Sequence, residues 1–210
     1  MPELDHLIFA SGDLDRGIAR ITELTGAEAV FGGPHVGLGT RNALLTFDER
    51  TYFEVIAVDP DQPNPGRTRP FDLVPDSPPR LAGYAIHPTG SETLEDVAAR
   101  MRSAGFDPGK VAEMSRQKPD GELLAWRLTV DTSGVRFGDG ALPFAIDWGD
   151  SPSPATSLPS MGRLVSLVVS HPDAGVRANA EALGLAIEVT EGPVGLVATV
   201  DTANGQVQIS

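Results

Sequence analysis

The chain has 210 residues, no cysteine and a formal net charge of −13, with 29 acidic against 16 basic residues. A hydrophobic content of 40% is enough for a packed core, which excludes a disordered chain, and the length fits one domain or two small fused modules. The acidic balance argues against nucleic acid as a partner, because phosphate contacts need clusters of lysine and arginine. Without cysteine there is no disulfide, thiolate ligand or thiol nucleophile. With no signal peptide or membrane-length apolar run, we expect a cytoplasmic protein without a membrane partner.

An internal repeat organises the chain. Residues 4–26, 81–105 and 164–184 each begin as a short apolar strand and continue into a helix that ends at a glycine. In each helix apolar residues recur at spacings of three and four, which is typical of one buried helical face. Extended segments follow each helix, and turn-forming residues at 118–121 and 204–205 separate two of the pairs.

Each repeat therefore predicts a βαβββ module. We predict module one at 1–60, a proline-rich connector at 61–80, module two at 81–150 and a shorter third module at 163–210. One such unit covers only one face of its sheet with a helix, so the other face needs a partner. The predicted fold class is α+β: repeated modules form a curved mixed sheet that encloses a cleft, with the helices outside.

Strand alternation indicates which side chains enter the cleft. On the first strand His6 lies on the face opposite Leu7 and Phe9, which suit packing under the helix. On the last strand of module one, Tyr52 and Glu54 share a face. Glu54 interrupts an otherwise apolar strand, so it is a candidate functional residue.

These residues carry a family resemblance. LDHLIF at 4–9, YFEVIAV at 52–58 and the repeated modules resemble the vicinal oxygen chelate superfamily, and GGPHVGLGTRNALLTF at 32–47 is similar to the glyoxalase-like domain family within it. PFAIDWG at 143–149 is similar to the second-module strand of that family, so the resemblance covers about 4–149. The residues that fit the family pattern are Gly33, His35, Gly37, Gly39, Thr40 and Asn42.

The resemblance implies a divalent metal ion held by His6 and Glu54. Imidazole and carboxylate suit iron, manganese, zinc, nickel or cobalt, and open coordination positions let a substrate bind through two adjacent oxygens. The aligned positions of module two hold Gly83 and Ala145, which supply no ligand. The sequence therefore also leaves open a site without metal.

Further site residues follow from the same comparison. We predict His35 and Asp147 as catalytic residues, either as a third ligand or as a proton carrier, and Asn42, Tyr52 and Trp148 as substrate-binding residues. Three other interpretations stay open: a histidine that merely lines the cleft, a salt bridge from the carboxylate of module one to an arginine at 41 or 127, and a histidine–carboxylate pair in which the histidine accepts a proton.

Two functions fit these expectations. The first is a glyoxalase-like small-molecule enzyme, a lyase, isomerase or dioxygenase acting on a substrate with vicinal oxygens. The alternative is a metal-free protein of the same fold that binds or sequesters a small molecule. The resemblance also implies that modules pair between two chains, that is, a homodimer.

Overall fold

The computed structural model describes residues 1–117, 121, 123–130 and 137–210. The first unit consists of β1 (Glu3–Ser11), α1 (Leu14–Thr25), β2 (Val30–His35), β3 (Thr40–Thr46) and β4 (Tyr52–Val58). The second consists of β5 (Arg80–His87), α2 (Leu94–Ser103), β6 (Lys110–Gln117), β7 (Leu123–Val130) and β8 (Phe144–Asp147). The third consists of β9 (Arg163–Ser170), α3 (Ala174–Ala182), β10 (Glu188–Thr190), β11 (Gly195–Thr202) and β12 (Gly205–Ile209). The turn predicted at 118–121 lies, except for Gly121, outside the described residues.

The first two units form one mixed sheet of eight strands in the order β2-β3-β4-β1-β5-β8-β7-β6. β1 pairs in parallel with β4 and antiparallel with β5, and this second pairing joins the units. The sheet is curled into a half-barrel, and its two edge strands, β2 and β6, approach each other. The curl leaves a cleft on the concave side and confirms the predicted fold class.

Alternation along the strands separates the cleft from the core. Leu7, Phe9 and Phe53 are buried in the main core on the convex side. His6 and Tyr52 are direct neighbours in the β1–β4 register and point to the concave side. The predicted faces of these two strands are therefore confirmed.

The helices lie outside the sheet. α1 starts at Asp13, whose side chain accepts a hydrogen bond from the backbone N–H of Arg16. It ends at Gly26, whose φ of 76° is the left-handed conformation that a side chain disfavours. None of the helices in the described part of the chain is long and apolar enough to cross a membrane.

The third unit forms a separate sheet in the order β10-β9-β11-β12. β11 contacts β5 and β12 contacts α1, so this sheet covers the convex side of the half-barrel. Its apolar side chains, among them Leu167, Leu196 and Ile209, share the main core. None of its described residues lines the cleft, so its contacts are those of a buttress. Whether each module folds by itself, as the predicted boundaries imply, stays a prediction.

Candidate active site

The concave side of the half-barrel holds a cavity of about 350 Å³. All eight strands of the curled sheet contribute to its wall, and apolar and aromatic side chains cover most of it. Examples from different strands are Leu44, Ile56, Trp126, Phe144 and Trp148. Such a cavity, largely apolar with a few polar groups, is the usual form of a small-molecule site.

The predicted connector forms part of the cavity wall. Phe71 has a φ of 58°, unusual for a bulky side chain, and its ring lies over Gly83, where an added Cβ would be 3.2 Å from the ring. The main-chain carbonyl of Phe71 accepts a hydrogen bond from Arg80. The space left by the missing side chain at Gly83 is therefore filled by Phe71, which helps to close the cavity.

His6 is held in one orientation by its neighbours. Its Nδ1 lies 2.6 Å from Asp5 Oδ1, and the other oxygen of that carboxylate accepts a hydrogen bond of 3.2 Å from Trp148 Nε1. The ring of Tyr52 stacks on the imidazole at a centroid distance of 4.3 Å. Because the carboxylate beside Nδ1 accepts the proton there, Nε2 keeps its lone pair and can accept a proton from a ligand.

Strict strand alternation does not predict the role of Asp5. It would place Asp5 on the face opposite His6, but the register between β1 and β5 shifts between Leu4 and His6. Such an irregularity re-aims side chains locally. The buried Asp5 carboxylate consequently reaches the imidazole of the next residue.

Glu54 lies between two imidazoles and is 8% exposed. Its Oε2 is 3.8 Å from His6 Nε2, and its Oε1 is 3.7 Å from His35 Nε2. Oε1 also accepts a hydrogen bond of 2.6 Å from Asn42 Nδ2. This arrangement differs from the open interpretation of a salt bridge to residue 41 or 127, and it agrees with a histidine–carboxylate pair.

The glycine-rich segment is a tight hairpin that presents His35 and Asn42 to the cavity. β2 ends at His35, and the turn before Thr40 uses two glycines with φ of 79° and 69° at Gly37 and Gly39. His35 Nδ1 is 3.0 Å from Thr40 Oγ1, and its Nε2 is 3.3 Å from Asn42 Nδ2. The motif therefore positions two polar side chains, while its glycines form the turn between them.

Burial lowers the pKa of His35 below its ordinary value, and the nearby Glu54 carboxylate only partly opposes this effect. The folded protein therefore holds this imidazole neutral at neutral pH. Burial also raises the pKa of the Tyr52 phenol well above its usual range, so this hydroxyl stays protonated. The cavity thus contains a neutral imidazole and a phenol that can donate or accept hydrogen bonds.

We expect the lowered pKa of His35 to make the protein less stable in mild acid. Below about pH 6.5, the reference pKa of histidine, unfolded chains bind a proton at this residue while the folded state resists it. The free energy of unfolding should therefore fall from pH 7.5 toward the lowered pKa, and His35→Gln should reduce that slope in urea denaturation. A His35 titration midpoint above 6.5 in NMR of the folded protein would contradict the expectation.

The structure does not bring Asp147 to the cavity. On β8 the side chains of Phe144 and Ile146 face the cavity, which leaves Ala145 and Asp147 on the opposite face. The Asp147 carboxylate accepts a hydrogen bond of 3.1 Å from Arg127, which also pairs with Glu95 of α2. The cause is a one-residue offset when β8 is aligned with β4, since such an offset exchanges the two faces of a strand.

Arg116 is a cavity residue that the sequence did not single out. It lies on β6 and shares its inward face with Ala112 and Met114, a spacing of two that could have indicated it. The residue is 5% exposed. Burial lowers the pKa of its guanidinium, which the charge of Glu54 partly offsets, and an arginine stays charged at neutral pH.

The donor groups do not fit a divalent metal ion in this arrangement. The described residues contain no group of three or more histidine, aspartate and glutamate side chains placed to hold one. The NH₂ group of Asn42 lies within hydrogen-bond distance of both Glu54 and His35, so it occupies the space between two of the candidate ligands. The second unit contributes Ala85 opposite His6 in the register, which supplies no ligand.

The curled sheet of paired βαβββ units, with its polar cluster on the concave side, defines a protein of the vicinal oxygen chelate superfamily. The chain belongs to the glyoxalase-like domain family, whose model matches residues 4–188. This match confirms the resemblance carried by the sequence. A comparison with curated proteins gives no significant match.

Solved structures show the same fold at low sequence identity. A hypothetical protein from Staphylococcus aureus is 15% identical, with a TM-score of 0.67 over 100% of this chain and 99% of that chain. A methylmalonyl-CoA epimerase from Streptomyces coelicolor is 18% identical over 69% of this chain and 95% of that chain, with a TM-score of 0.41. A catechol 2,3-dioxygenase is 15% identical over 87% of this chain and 55% of that chain, with a TM-score of 0.43.

Proposed function

We propose that the chain is a small-molecule enzyme that moves a proton on a substrate bound in the cavity. The reaction would be of the isomerase or lyase type, on a compound with two adjacent oxygens. One observation carries the proposal: the buried Glu54 carboxylate has an imidazole Nε2 atom within 3.8 Å on each side, at the wall of an apolar cavity. Clusters of this kind are typical of general acid–base sites.

His6 is the base in this proposal. Its Nε2 would accept the proton from a carbon next to a carbonyl group, and the C–H electron pair would move to the carbonyl oxygen. The imidazolium formed would be stabilised by Asp5 at Nδ1 and by Glu54 near Nε2. Return of the proton to the neighbouring carbon would complete an isomerisation, and return to the other face of the same carbon an epimerisation.

The remaining cavity residues would bind the substrate. Tyr52 and Trp148 form an aromatic wall beside His6, with their rings 6.3 Å apart. Asn42 fixes the orientation of Glu54 and borders the same space. These three residues are the predicted substrate-binding set, and all three line the cavity.

We expect Glu54→Gln to abolish proton exchange while leaving the cavity able to bind ligands. The neutral amide keeps the shape of the side chain but removes the charge that stabilises a protonated His6. Loss of such a group typically costs about 10²–10⁴-fold in rate. The measurement is deuterium incorporation from D₂O into a panel of 2-hydroxyketones and 2-oxo acids, followed by proton NMR, with thermal shifts reporting binding.

Glu113→Gln is the matched control, because Glu113 is exposed on β6 and points away from the cavity. It should exchange protons at the wild-type rate. Exchange that survives in Glu54→Gln at the wild-type rate would refute the assigned role of Glu54. Compounds that stabilise the wild-type protein without any exchange would refute the enzyme and select the second candidate function.

That second candidate is a metal-free protein that binds or sequesters a small molecule. The apolar and aromatic walls of the cavity favour it, since Phe71, Phe144 and Trp126 offer contact area but no chemistry. It predicts thermal stabilisation by apolar organic compounds, with Glu54→Gln and the wild-type protein responding alike.

A metal-dependent lyase or dioxygenase reaction stays a prediction, which requires a divalent ion at His6 and Glu54. Elemental analysis of the purified protein tests it: a stoichiometric ion that is lost in Glu54→Gln would support the ion. The homodimer and the cytoplasmic location also stay predictions. Light scattering of the purified protein measures the first.

A further inference from the structure

We propose that Arg116 binds an anionic group of the ligand, and that the cavity therefore takes an organic carboxylate with an apolar body. The inference names the substrate class of the site described above and rests on the proposed function in that respect. Binding can nevertheless be measured without turnover, so the two can fail separately.

The first observation is a buried charge with an unused donor. Arg116 is 5% exposed, and its Nη1 has no hydrogen-bond partner among the described residues. A buried donor left unpaired is unfavourable, and more so when it carries charge. Glu54 is the first-ranked charge acting on the guanidinium, but its Oε1 is already engaged by Asn42. A ligand carboxylate would supply the missing acceptor.

The second observation is the open space kept around this donor by Gly32. An added Cβ at Gly32 would lie 2.7 Å from Arg116 Nη1 and 2.3 Å from Asn42 Oδ1, distances at which atoms collide. Asn42 Oδ1 is also buried without a hydrogen-bond partner among the described residues. The glycine of the β2 strand therefore lets the guanidinium of the opposite edge strand reach the polar cluster.

The surroundings specify the rest of the ligand. On β6, Ala112 and Met114 precede Arg116 along the cavity wall, and Trp126 and Leu128 of β7 continue it. These side chains are apolar, so one fixed cation faces a largely apolar space. Arginine pairs well with planar carboxylates, often through two parallel hydrogen bonds. The same cation lies where it could stabilise an oxygen that becomes negative during proton removal.

The test compares phenylacetate with its neutral analogue phenylacetamide by isothermal titration calorimetry, with acetate and 3-phenylpropionate as shorter and longer acids. We expect the wild-type protein to bind the best acid at least about tenfold more tightly than the amide, as one charge-assisted hydrogen bond allows. Arg116→Gln should remove this difference, and Arg116→Lys should keep part of it. Arg67→Gln is the matched control, since Arg67 is exposed at the rim of the same cavity and should leave the difference unchanged.

Glu54→Gln gives a second readout that does not depend on the folding of the Arg116 variants. Removing the carboxylate that competes for the guanidinium should tighten binding of the acid but not of the amide. Equal affinity for acid and amide in the wild-type protein, or no binding of any of the acids, would overturn the inference. So would an acid preference that survives in a folded Arg116→Gln. Acid-selective binding without deuterium exchange would sink the proposed enzyme and leave the anion site standing.

Discussion

Replacing Phe53 with alanine is expected to lower the free energy of unfolding by about 3–5 kcal/mol, the usual cost of truncating a buried aromatic side chain. Phe53 is fully buried on the convex side of β4. Its ring centroid is 5.8 Å from that of Phe9 and 6.0 Å from that of Phe47, in a tilted and an edge-to-face contact. Removing the ring leaves a cavity between the sheet and its outer layer that the neighbours can only partly fill. Urea denaturation followed by circular dichroism measures the change.

Phe31→Ala is the control for this experiment. Phe31 is 46% exposed on the edge strand β2, so its loss should change the free energy of unfolding by no more than about 1 kcal/mol. The prediction fails if both variants lose the same free energy. Because Glu54 follows Phe53 on the same strand, partial loosening of β4 should also reduce proton exchange.

Gly162→Ala is expected to destabilise the packing of the third sheet by at least about 3 kcal/mol, since it combines a backbone conformation that L-residues rarely adopt with a collision. Gly162 has a φ of 123°, and an added Cβ would lie 2.1 Å from the carbonyl oxygen of Asp201. That carbonyl belongs to β11, which pairs with β9 at Arg163. A main-chain atom cannot move aside as a flexible side chain can, so the start of β9 would have to shift.

Gly66→Ala separates strain from collision. Gly66 also has a positive φ, 72°, but no atom lies within 4 Å of its added Cβ. It should therefore cost only about 1–2 kcal/mol, the penalty of a left-handed conformation. Hydrogen exchange should show faster exchange in β9 and β11 of Gly162→Ala, with β1 and β4 protected. Equal losses in the two variants would contradict the role assigned to the collision.

The parts of the site that lie on regular elements were predictable. Alternation along two apolar strands placed His6, Tyr52 and Glu54 on one face, because the side-chain period of a strand is two. The motif of module one likewise identified His35 and Asn42, since glycines at fixed positions indicate a turn. Among the residues of the site, these are the ones that the structure brings together at the cavity.

The missed residues share a physical cause. Asp147 depended on the phase of a four-residue strand, and an error of one residue exchanged its face. Asp5 depended on a register irregularity, which local pattern does not reveal. Arg116 depended on contact between the two edges of the curled sheet, which lie more than eighty residues apart in the chain.

The sequence by itself determined the repeated βαβββ units, the faces of the long apolar strands, the family and most of the polar side chains of the site. These features follow from local periodicity, turn chemistry and a short motif. Only the tertiary structure decided how the polar groups combine: Asn42 between Glu54 and His35, Asp5 behind His6, and Arg116 opposite them. Their distances depend on the curl of the sheet and on the approach of β2 to β6, and these long-range contacts are set by packing of the whole core.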